Sequence, residues 1–429
     1  MPEDERNPRL FHRSALLAGI SAPFFCLLSD GLTILLRGPL SLLQDFYIFW
    51  AAARVLNAGG NPYDNAALTA VLTPEHIRVV LGTGYSYPLL LAQALRPIGS
   101  LDPATAGAIF VAACSLALGV AVALLVGSVR HVRWFAAIPL GAVAGLAPAI
   151  SFGMFEGQSN PLILPFLALA YRGVAPGASI AVATAVKLYP VAGLSALFIK
   201  RRWRELALGV TAAAVLIVGP GLLGGGSSGG AQSTAKVGRL LAPDAYFTNV
   251  SINGFLSRAV HNPLWPLRAV PVELSDIFVV ALLGALVLTV ALRRRGASFE
   301  GLLSLVTWYA TVSAPKNSLW NMAPLLLPLA YVSTAWRRHP VAAMAAFAGV
   351  VLMAIEVFVW AATNPLDFDP AVAYRSLPLL LGSGIALLGV LVIGGANVAV
   401  LLGENSAEGS AHAGEQLGVL PRGDGAGVQ

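Results

Sequence analysis

Long apolar runs dominate the chain, and short polar segments separate them. Residues 104–128 hold no charged residue in 25 positions, and residues 376–403 hold none in 28. About 20 apolar residues are enough for a helix to cross a bilayer. The runs lack the apolar–polar alternation of barrel strands, and a helix satisfies its own backbone hydrogen bonds in lipid. The pattern therefore predicts an all-α polytopic membrane protein.

The spacing of the runs predicts about twelve transmembrane helices, with both termini in the cytoplasm. We expect a single transmembrane domain over residues 1–403, with outer loops at 37–87 and 224–272, and a disordered cytoplasmic tail over 404–429. The predicted helices cover residues 14–36, 88–98, 104–127, 134–152, 161–171, 177–199, 206–223, 274–292, 302–312, 320–335, 341–362 and 377–402.

Composition and charge support a location in the cell membrane. The chain is 57% hydrophobic and 11% charged, whereas soluble domains are about 25% charged. Its net charge is +6, but the basic clusters at 200–204, 293–295 and 337–338 follow apolar runs. Such clusters mark cytoplasmic loops more often than nucleic-acid patches, so we expect no nucleic-acid partner. One segment breaks the charge bias, because 130–133 falls outside in this register.

The first outer loop begins with an aromatic segment that predicts a helix. At helical spacing Phe46, Phe49, Trp50 and Ala53 share one face, which is typical of an amphipathic helix at the outer membrane interface. Asp45 stands at the start of this helix. It is either an N-cap or a carboxylate whose basicity rises at the lipid–water boundary. The sequence leaves both interpretations open.

Polar residues elsewhere in the apolar pattern are further candidates. Lys187 interrupts an apolar run, which favours a functional role, with snorkelling to the interface as the alternative. Residues 156–161 separate two apolar runs and form either a turn or a polar lining. Arg258 and Lys316 are candidates to bind an anionic phosphate, and simple interfacial anchoring is the alternative.

The sequence shows no sign of a cofactor or metal site. It lacks the phosphate-binding loop, zinc-protease and haem motifs. Cys26 and Cys114 stand alone in apolar runs, which excludes a disulfide framework or a zinc spacing. Asp45 has no acidic neighbour along the chain, so we expect no paired-carboxylate metal site.

Several motifs taken together resemble glycosyltransferase family 87. The family includes α-mannosyltransferases that depend on polyprenyl-phosphate-mannose. The resemblance begins with the outer-loop Asp45 and its aromatic helix and spans about residues 45 to 335. The further motifs are Gly60-Asn61-Pro62-Tyr63, Tyr85-Ser86-Tyr87-Pro88, Gly157-Gln158-Ser159-Asn160, Lys187-Leu188-Tyr189-Pro190 followed by Arg201-Arg202-Trp203-Arg204, Asn249-Val250-Ser251-Ile252-Asn253-Gly254, and the turn from Ser313 to Asn321.

This resemblance implies a GT-C architecture, with an acidic residue of the first extracytoplasmic loop as the general base. By position that residue is Asp45, and Arg258 and Lys316 are the candidates to bind the donor phosphate. The last motif departs from the family, because relatives often carry a histidine where this chain has Trp320-Asn321. The candidate substrate-binding residues are Tyr63, Asp64, Tyr87, Gln158, Asn160, Lys187, Asn253 and Asn321.

The implied activity is inverting transfer of a hexose on the extracytoplasmic side. The donor would be a polyprenyl-phosphate sugar, the acceptor a glycolipid or glycan, and no cofactor is expected. Mannose follows from the resemblance alone. The competing hypothesis is a transporter or lipid flippase that uses Lys187 and Glu156 within the membrane, and a non-catalytic assembly factor is a third. The long charged outer loop favours the enzyme, since transporters usually place their sites at mid-membrane.

Overall fold

The computed structural model describes residues 8–37, 42–77, 84–129, 132–223, 249–261, 272–294, 296–314, 317–363 and 376–417. Within these ranges the chain forms eighteen α-helices and three short 3-10 helices, at Tyr189–Gly193, Leu319–Asn321 and Ala323–Leu325. The α-helices are α1 (Pro8–Arg37), α2 (Gln44–Asn57), α3 (Asn65–Leu72), α4 (Leu89–Ala94), α5 (Arg96–Gly99), α6 (Pro103–Val126), α7 (Trp134–Leu146), α8 (Pro148–Phe155), α9 (Asn160–Tyr171), α10 (Pro176–Val186), α11 (Leu194–Ile199), α12 (Trp203–Leu223), α13 (Ile252–His261), α14 (Val272–Arg293), α15 (Phe299–Ser313), α16 (Leu326–Thr334), α17 (Pro340–Thr363) and α18 (Leu377–Leu417).

The predicted all-helical membrane architecture is confirmed. Among the described helices, α1, α6, α12, α14, α17 and α18 are long and apolar enough to cross a membrane. A bent pair, α7 with α8, adds a seventh span if it is counted as one. The predicted count of about twelve is not confirmed, because α9, α10, α11 and α16 fall short of the roughly 20 residues that a crossing needs.

Small residues allow the long helices to approach closely. A Cβ atom on Gly19 of α1 would lie 2.7 Å from the carbonyl oxygen of Gly119 on α6. A Cβ atom on Gly349 of α17 would lie 2.6 Å from the carbonyl oxygen of Gly389 on α18. Close contact of this kind is how helices gain packing energy in lipid, where burial of apolar surface drives no association. Larger side chains would separate these helices.

Two predicted helices are broken in the structure, each at a proline. The predicted helix 134–152 bends by 56° between α7 and α8. Ala147 is extended there, with ψ 128°, because Pro148 disfavours the helical conformation of the residue before it. The predicted helix 177–199 ends at Lys187, whose φ of −150° and ψ of 131° are extended, and Pro190 opens the next turn. Lys187 therefore lies at a break between two apolar helices and not inside one helix.

The predicted return helix 88–98 does not cross the bundle. It divides into α4 and α5, and both pack against α2. Asn57 at the end of α2 donates to the Arg96 carbonyl at 2.9 Å, and Arg96 Nε donates to Asn57 Oδ1 at 2.9 Å. Trp50 Nε1 donates to the Leu101 carbonyl at 3.2 Å. As a result α6 begins at the same end of the bundle as α2, which reverses its predicted direction.

The opposite end of the bundle gathers the basic clusters, and we call it the basic end. There Lys200 Nζ donates to the Ala297 carbonyl at 2.7 Å. Ala297 follows closely after the arginine that ends α14. Glu404 of α18 accepts hydrogen bonds from Ser298 Oγ at 3.0 Å and from Tyr331 of α16 at 2.7 Å. We call the other end, where α2, the end of α8 and the start of α9 meet, the site end.

The reversed direction of α6 removes the exception to the charge bias. A Cβ atom on Gly127, just after α6, would lie 3.6 Å from Arg172 Nη1 just after α9. Arg133 is exposed and directly precedes α7, so it belongs to the turn that joins α6 to α7. This turn therefore lies at the basic end, whereas the predicted register separated it from the other basic clusters. Arg130 and His131 lie outside the described residues.

Two other expectations differ from the structure. The predicted helix of the first loop is α2, but Ile48, Ala51, Ala52 and Val55 are buried as well as its aromatic face, so α2 is a core helix and not an interfacial one. The tail was expected to be disordered from residue 404, whereas α18 continues to Leu417. This extension contains several alanines and no proline, which favours helix. Residues 418–429 and the glycine-rich segment 224–230 lie outside the described residues.

Candidate active site

Asp45 is positioned by the backbone of a distant turn. The Leu43 amide donates to the Phe155 carbonyl at 2.8 Å, and the Asp45 amide donates to the Glu156 carbonyl at 2.9 Å. Leu43 is the N-cap residue of α2, with φ 59°, and no side chain caps this helix. The N-cap interpretation of Asp45 is therefore wrong, and its carboxylate is available for another role.

A glycine makes this docking possible. Gly157 has φ +74°, a conformation that residues with a Cβ atom rarely adopt. A Cβ atom there would lie 2.7 Å from Phe46 Cβ and 3.0 Å from the Phe46 amide nitrogen. The turn at residues 155–158 therefore touches the first turn of α2 through its backbone.

The two oxygens of the Asp45 carboxylate differ in their hydrogen bonding. Gln158 Nε2 donates to Asp45 Oδ2. Among the described residues, Oδ1 receives no hydrogen bond, which leaves it free to accept a proton. Burial raises the pKa of Asp45 to about 6, and the positive charge of Lys187 opposes that rise. A carboxyl group with such a pKa is ionised at neutral pH and is more basic than an ordinary aspartate.

Lys187 brings an amine next to this carboxylate. Burial lowers the pKa of Lys187 to about 7, and the negative charge of Asp45 opposes that fall. Its Nζ donates to Gln158 Oε1 at 3.2 Å, to Asn160 Oδ1 at 3.0 Å and to Asn321 Oδ1 at 2.6 Å. Asn160 Nδ2 also donates to Asn321 Oδ1, at 3.0 Å. The residues come from three separate segments, so the break after α10 connects the start of α9 to the turn at 319–321.

Tyrosines surround the ammonium group. Tyr87 donates to Gln158 Oε1 at 3.1 Å, and Tyr189 donates to Asn160 Oδ1 at 3.1 Å. Lys187 Nζ lies 5.5 Å from the centre of the Tyr87 ring and 5.8 Å from that of Tyr189. Both distances are within the range of a cation–π interaction. The Tyr63 hydroxyl donates to the Tyr87 carbonyl at 3.1 Å and so helps to fix the backbone of Tyr87.

The polar cluster has a buried layer and an accessible layer. Gln158 is 2% exposed and Asn160 is 0% exposed. In contrast, Asp45, Tyr87, Lys187, Tyr189 and Asn321 are half-buried. These five residues keep some accessible surface, whereas the two amides beneath them have almost none.

Glu156 is a neighbour of Asp45 that the sequence interpretation missed. Its backbone carbonyl accepts from the Asp45 amide, and its buried side chain interacts electrostatically with Asp45. Asp45 has no acidic neighbour along the chain, as expected, but the fold brings Glu156 next to it from a distant turn. Burial, and after it the charge of Asp45, raises the pKa of Glu156 well above its usual value. Both effects favour the neutral form of Glu156.

Two further sequence candidates have hydrogen-bond partners outside this cluster. Asp64 is exposed and accepts the Ala66 amide at 2.9 Å, which makes it the N-cap of α3. Asn253 is buried on α13 and donates to Asp276 Oδ2 at 2.9 Å. Its helix follows Asn249, which forms an isolated bridge with Ser318, three residues before Asn321. Asn253 therefore belongs to a polar cluster beside the Lys187 cluster.

Of the two residues predicted to bind the donor phosphate, the structure describes one, Arg258. Arg258 is 0% exposed, and its Nη2 donates to the Asn249 carbonyl at 2.6 Å. It also interacts electrostatically with Glu356 of α17. A phosphate has no access to this side chain in the structure, so Arg258 connects α13 to the bundle. Lys316 lies outside the described residues.

The arrangement offers a base, a cation and hydroxyl and amide groups within one half-buried site. Within the described residues, no group of three His, Cys, Asp or Glu side chains could hold a metal ion. An apolar cavity of about 430 Å³ opens between α6, α7, α16 and α17, but its lining includes none of the residues around Asp45. The Asp45 carboxylate is a group that can accept a proton, and the Lys187 ammonium is a group that can pair with an anion.

Comparison with known proteins gives one match. The sequence model of glycosyltransferase family 87 matches residues 85–315, more than half of the chain. No curated protein and no solved structure matches. The matched region includes Gln158, Asn160 and Lys187, whereas Asp45 precedes it and Asn321 follows it. The transporter, flippase and assembly-factor hypotheses lose their support, because the chain belongs to glycosyltransferase family 87 and is a membrane glycosyltransferase.

Proposed function

We propose that this glycosyltransferase moves a hexose, mannose by resemblance, from a polyprenyl-phosphate donor to a glycolipid or glycan acceptor. The observation that carries the proposal is the Asp45 carboxylate, which caps no helix, has one open oxygen and lies beside Lys187. These are the two groups that such a transfer needs, a base for the acceptor hydroxyl and a cation for the leaving phosphate.

In the proposed step Asp45 removes a proton from the acceptor hydroxyl. The acceptor oxygen forms a bond to the anomeric carbon while the bond from that carbon to the phosphate oxygen breaks. The electron pair of the broken bond leaves with the polyprenyl phosphate. Direct displacement inverts the anomeric centre, so a β-linked donor gives an α-linked product.

We assign the leaving phosphate to Lys187. Its ammonium is half-buried, is held by three amide oxygens and lies next to the base through Gln158. Arg258, the candidate from the sequence, is fully buried. A desolvated cation stabilises developing phosphate charge more strongly than an exposed one, because water screens it less.

The charge distribution supports an extracytoplasmic site. The basic end carries exposed arginines, including Arg201, Arg204, Arg337 and Arg338, and such clusters favour the cytoplasm. Asp45 lies at the other end of the bundle. α15 runs between them, from Ser298 at the basic end to the segment before Asn321 at the site end. A donor with its phosphate at the outer membrane surface would thus meet the site.

The test is sugar transfer in membranes that contain the protein. With radiolabelled polyprenyl-phosphate mannose and membrane glycolipids, we expect labelled glycolipid from the wild type. Asp45→Asn should lower the rate by about 10²–10⁴-fold, the usual contribution of general acid–base catalysis. The matched control is Asp102→Asn, because Asp102 is an exposed N-cap of α6 and asparagine also caps well. Full activity of a folded Asp45→Asn protein would exclude Asp45 as the base.

A further inference from the structure

Gln158 lies between the carboxylate and the ammonium and binds both. Its Nε2 donates to Asp45 Oδ2, and its Oε1 accepts from Lys187 at 3.2 Å and from Tyr87 at 3.1 Å. Its backbone carbonyl also accepts from Cys114 Sγ at 3.9 Å. With 2% exposure, the side chain is behind the accessible layer of the site.

The chemistry of its partners fixes the orientation of the Gln158 amide. An ammonium group only donates and a carboxylate only accepts hydrogen bonds. Burial, and after it the charge of Asp45, raises the pKa of Tyr87 well above its usual value, so the phenol keeps its proton and donates. A rotated amide would therefore direct its NH2 group at two donors and its oxygen at a carboxylate. One orientation satisfies all three partners.

We propose that Gln158 is a positioning residue that couples the donor-binding ammonium of Lys187 to the base Asp45. This inference rests on the proposed function. A hydrogen-bonded chain polarises along its length, so the ammonium on Oε1 strengthens the bond from Nε2 to Asp45. When the donor phosphate pairs with Lys187, that polarisation decreases and the carboxylate becomes a stronger base. Proton removal is then favoured only when a donor is present.

The other groups around Asp45 do not provide this coupling. Among the described residues, those that interact electrostatically with Asp45 are Lys187, Glu156 and Tyr87. Burial raises the pKa of Glu156 and of Tyr87, which favours the neutral form of each. Lys187 is the one basic group of the three, and its ammonium form is the cation that can act on Asp45. Gln158 is hydrogen-bonded to both Lys187 and Asp45.

The experiment measures transfer by the purified protein in lipid nanodiscs at varied pH and donor concentration. Gln158→Leu should lower kcat about a hundredfold, because a misplaced reacting group costs about that much. The KM for the donor should change less than threefold, and the pH at which kcat is half-maximal should rise. Loss of a hydrogen bond to the ionised carboxylate explains that rise. Gln93→Leu is the matched control, since Gln93 on α4 makes a single bond to the Pro220 carbonyl.

A double variant tests the coupling itself. If Gln158 carries the influence of Lys187, then Gln158→Leu combined with Lys187→Met should have the pH dependence of Gln158→Leu alone. Additive shifts would overturn the proposal. So would a Gln158→Leu protein whose donor KM rises while kcat and pH dependence stay unchanged, because that result describes a substrate-binding residue.

Failure of this inference is distinguishable from failure of the proposed function. If Asp45→Asn keeps full activity, or no polyprenyl-phosphate sugar is used, the proposed function fails. If Asp45 is essential and Gln158→Leu leaves the pH dependence unchanged, only the coupling fails. Should Gln158→Leu not fold, Tyr87→Phe removes one bond to Oε1 and leaves the Lys187 bond. We then expect a smaller pH shift in the same direction, and no shift would overturn the proposal.

Discussion

Asp45 differs from an ordinary surface aspartate because a turn far away in sequence encloses it. Two backbone hydrogen bonds and one amide fix the residue, and the surrounding protein removes water from the carboxylate. The same burial that makes the group more basic also makes its charged form costly to hold. Both effects belong to a single side chain, and each has a measurable consequence.

The pH dependence of transfer tests the first effect. Because burial raises the pKa of Asp45 to about 6, the ionised fraction falls as the pH falls through 6. We expect the rate to decrease about tenfold per pH unit below that point. Initial rates between pH 4.5 and 8, with stability checked at each pH, measure this. A rate that stays constant down to pH 4.5 would contradict the assignment of Asp45 as base.

The stability of Asp45→Asn tests the second effect. The pKa of Asp45 is raised from 3.8 to about 6 on folding, so the folded state binds a proton more tightly than the unfolded state does. Ionised Asp45 therefore destabilises the fold above pH 6, and that cost disappears as the pH falls below 4. Asp45→Asn should raise the melting temperature at pH 7.5 and leave it nearly unchanged at pH 4. A loss of stability at pH 7.5 would contradict this reasoning.

The short elements at the site end show why sequence periodicity was informative but incomplete. The aromatic segment after Asp45 and the Tyr87, Gln158, Lys187 and Asn321 positions were all identified from the sequence, because polar residues between apolar runs are conspicuous. The contacts among these residues could not be predicted, because the contacts join segments far apart in sequence. Asn160 and Asn321, for example, are 161 positions apart. Glu156 was assigned to a competing function for the same reason.

The turn at residues 155–158 makes a prediction about α2. Gly157→Ala should cost at least about 2 kcal/mol more than Gly59→Ala, because both glycines have positive φ but only a Cβ atom at 157 meets Phe46. Gly59 has no atom within 4 Å of an added Cβ and is the matched control. Gly157→Ala should also lower kcat, since it displaces the first turn of α2. Melting temperatures and transfer rates of both variants measure this. Equal effects would show that packing on Phe46 is unimportant.

The buried Arg258 of α13 makes a second prediction at this scale. Arg258→Met should destabilise the protein by about 1.5–3 kcal/mol, because it removes the charged hydrogen bond that Arg258 donates to the Asn249 carbonyl. Thermal melts of the wild type and the variant measure the loss. If instead the donor KM rises in a stable Arg258→Met protein, the original assignment of Arg258 to the phosphate is correct.

For the whole molecule, the apolar runs predicted the architecture but not the direction of each segment. Residues 88–98 are as apolar as a short crossing helix, and only their contacts with α2 show that they stay at one end. One such segment reverses α6, and the turn after it then joins the other basic turns. Composition identifies which segments can enter a membrane, whereas tertiary contacts decide which of them cross it.

Sidedness of the bundle is testable by thiol labelling. Thr69 on α3 and Ser333 on α16 are exposed at opposite ends, and the native Cys26 and Cys114 are buried. With an impermeant thiol reagent, we expect Thr69→Cys to react in intact cells and Ser333→Cys to react only after permeabilisation. The opposite pattern would place the site in the cytoplasm and exclude an extracytoplasmic reaction.

The hydrogen bonds that join Leu43 and Asp45 to Phe155 and Glu156 use main-chain atoms only. Positions 155 and 156 contribute only their carbonyl groups, so their side chains can change within steric limits. Position 43 must keep its N–H group, which excludes proline, and its φ of 59° restricts the residues that fit there. The position of the base therefore depends little on which side chains line the surrounding pocket. A lineage could exchange the residues that recognise one monosaccharide for those that recognise another, and the proton acceptor would remain in place throughout the change.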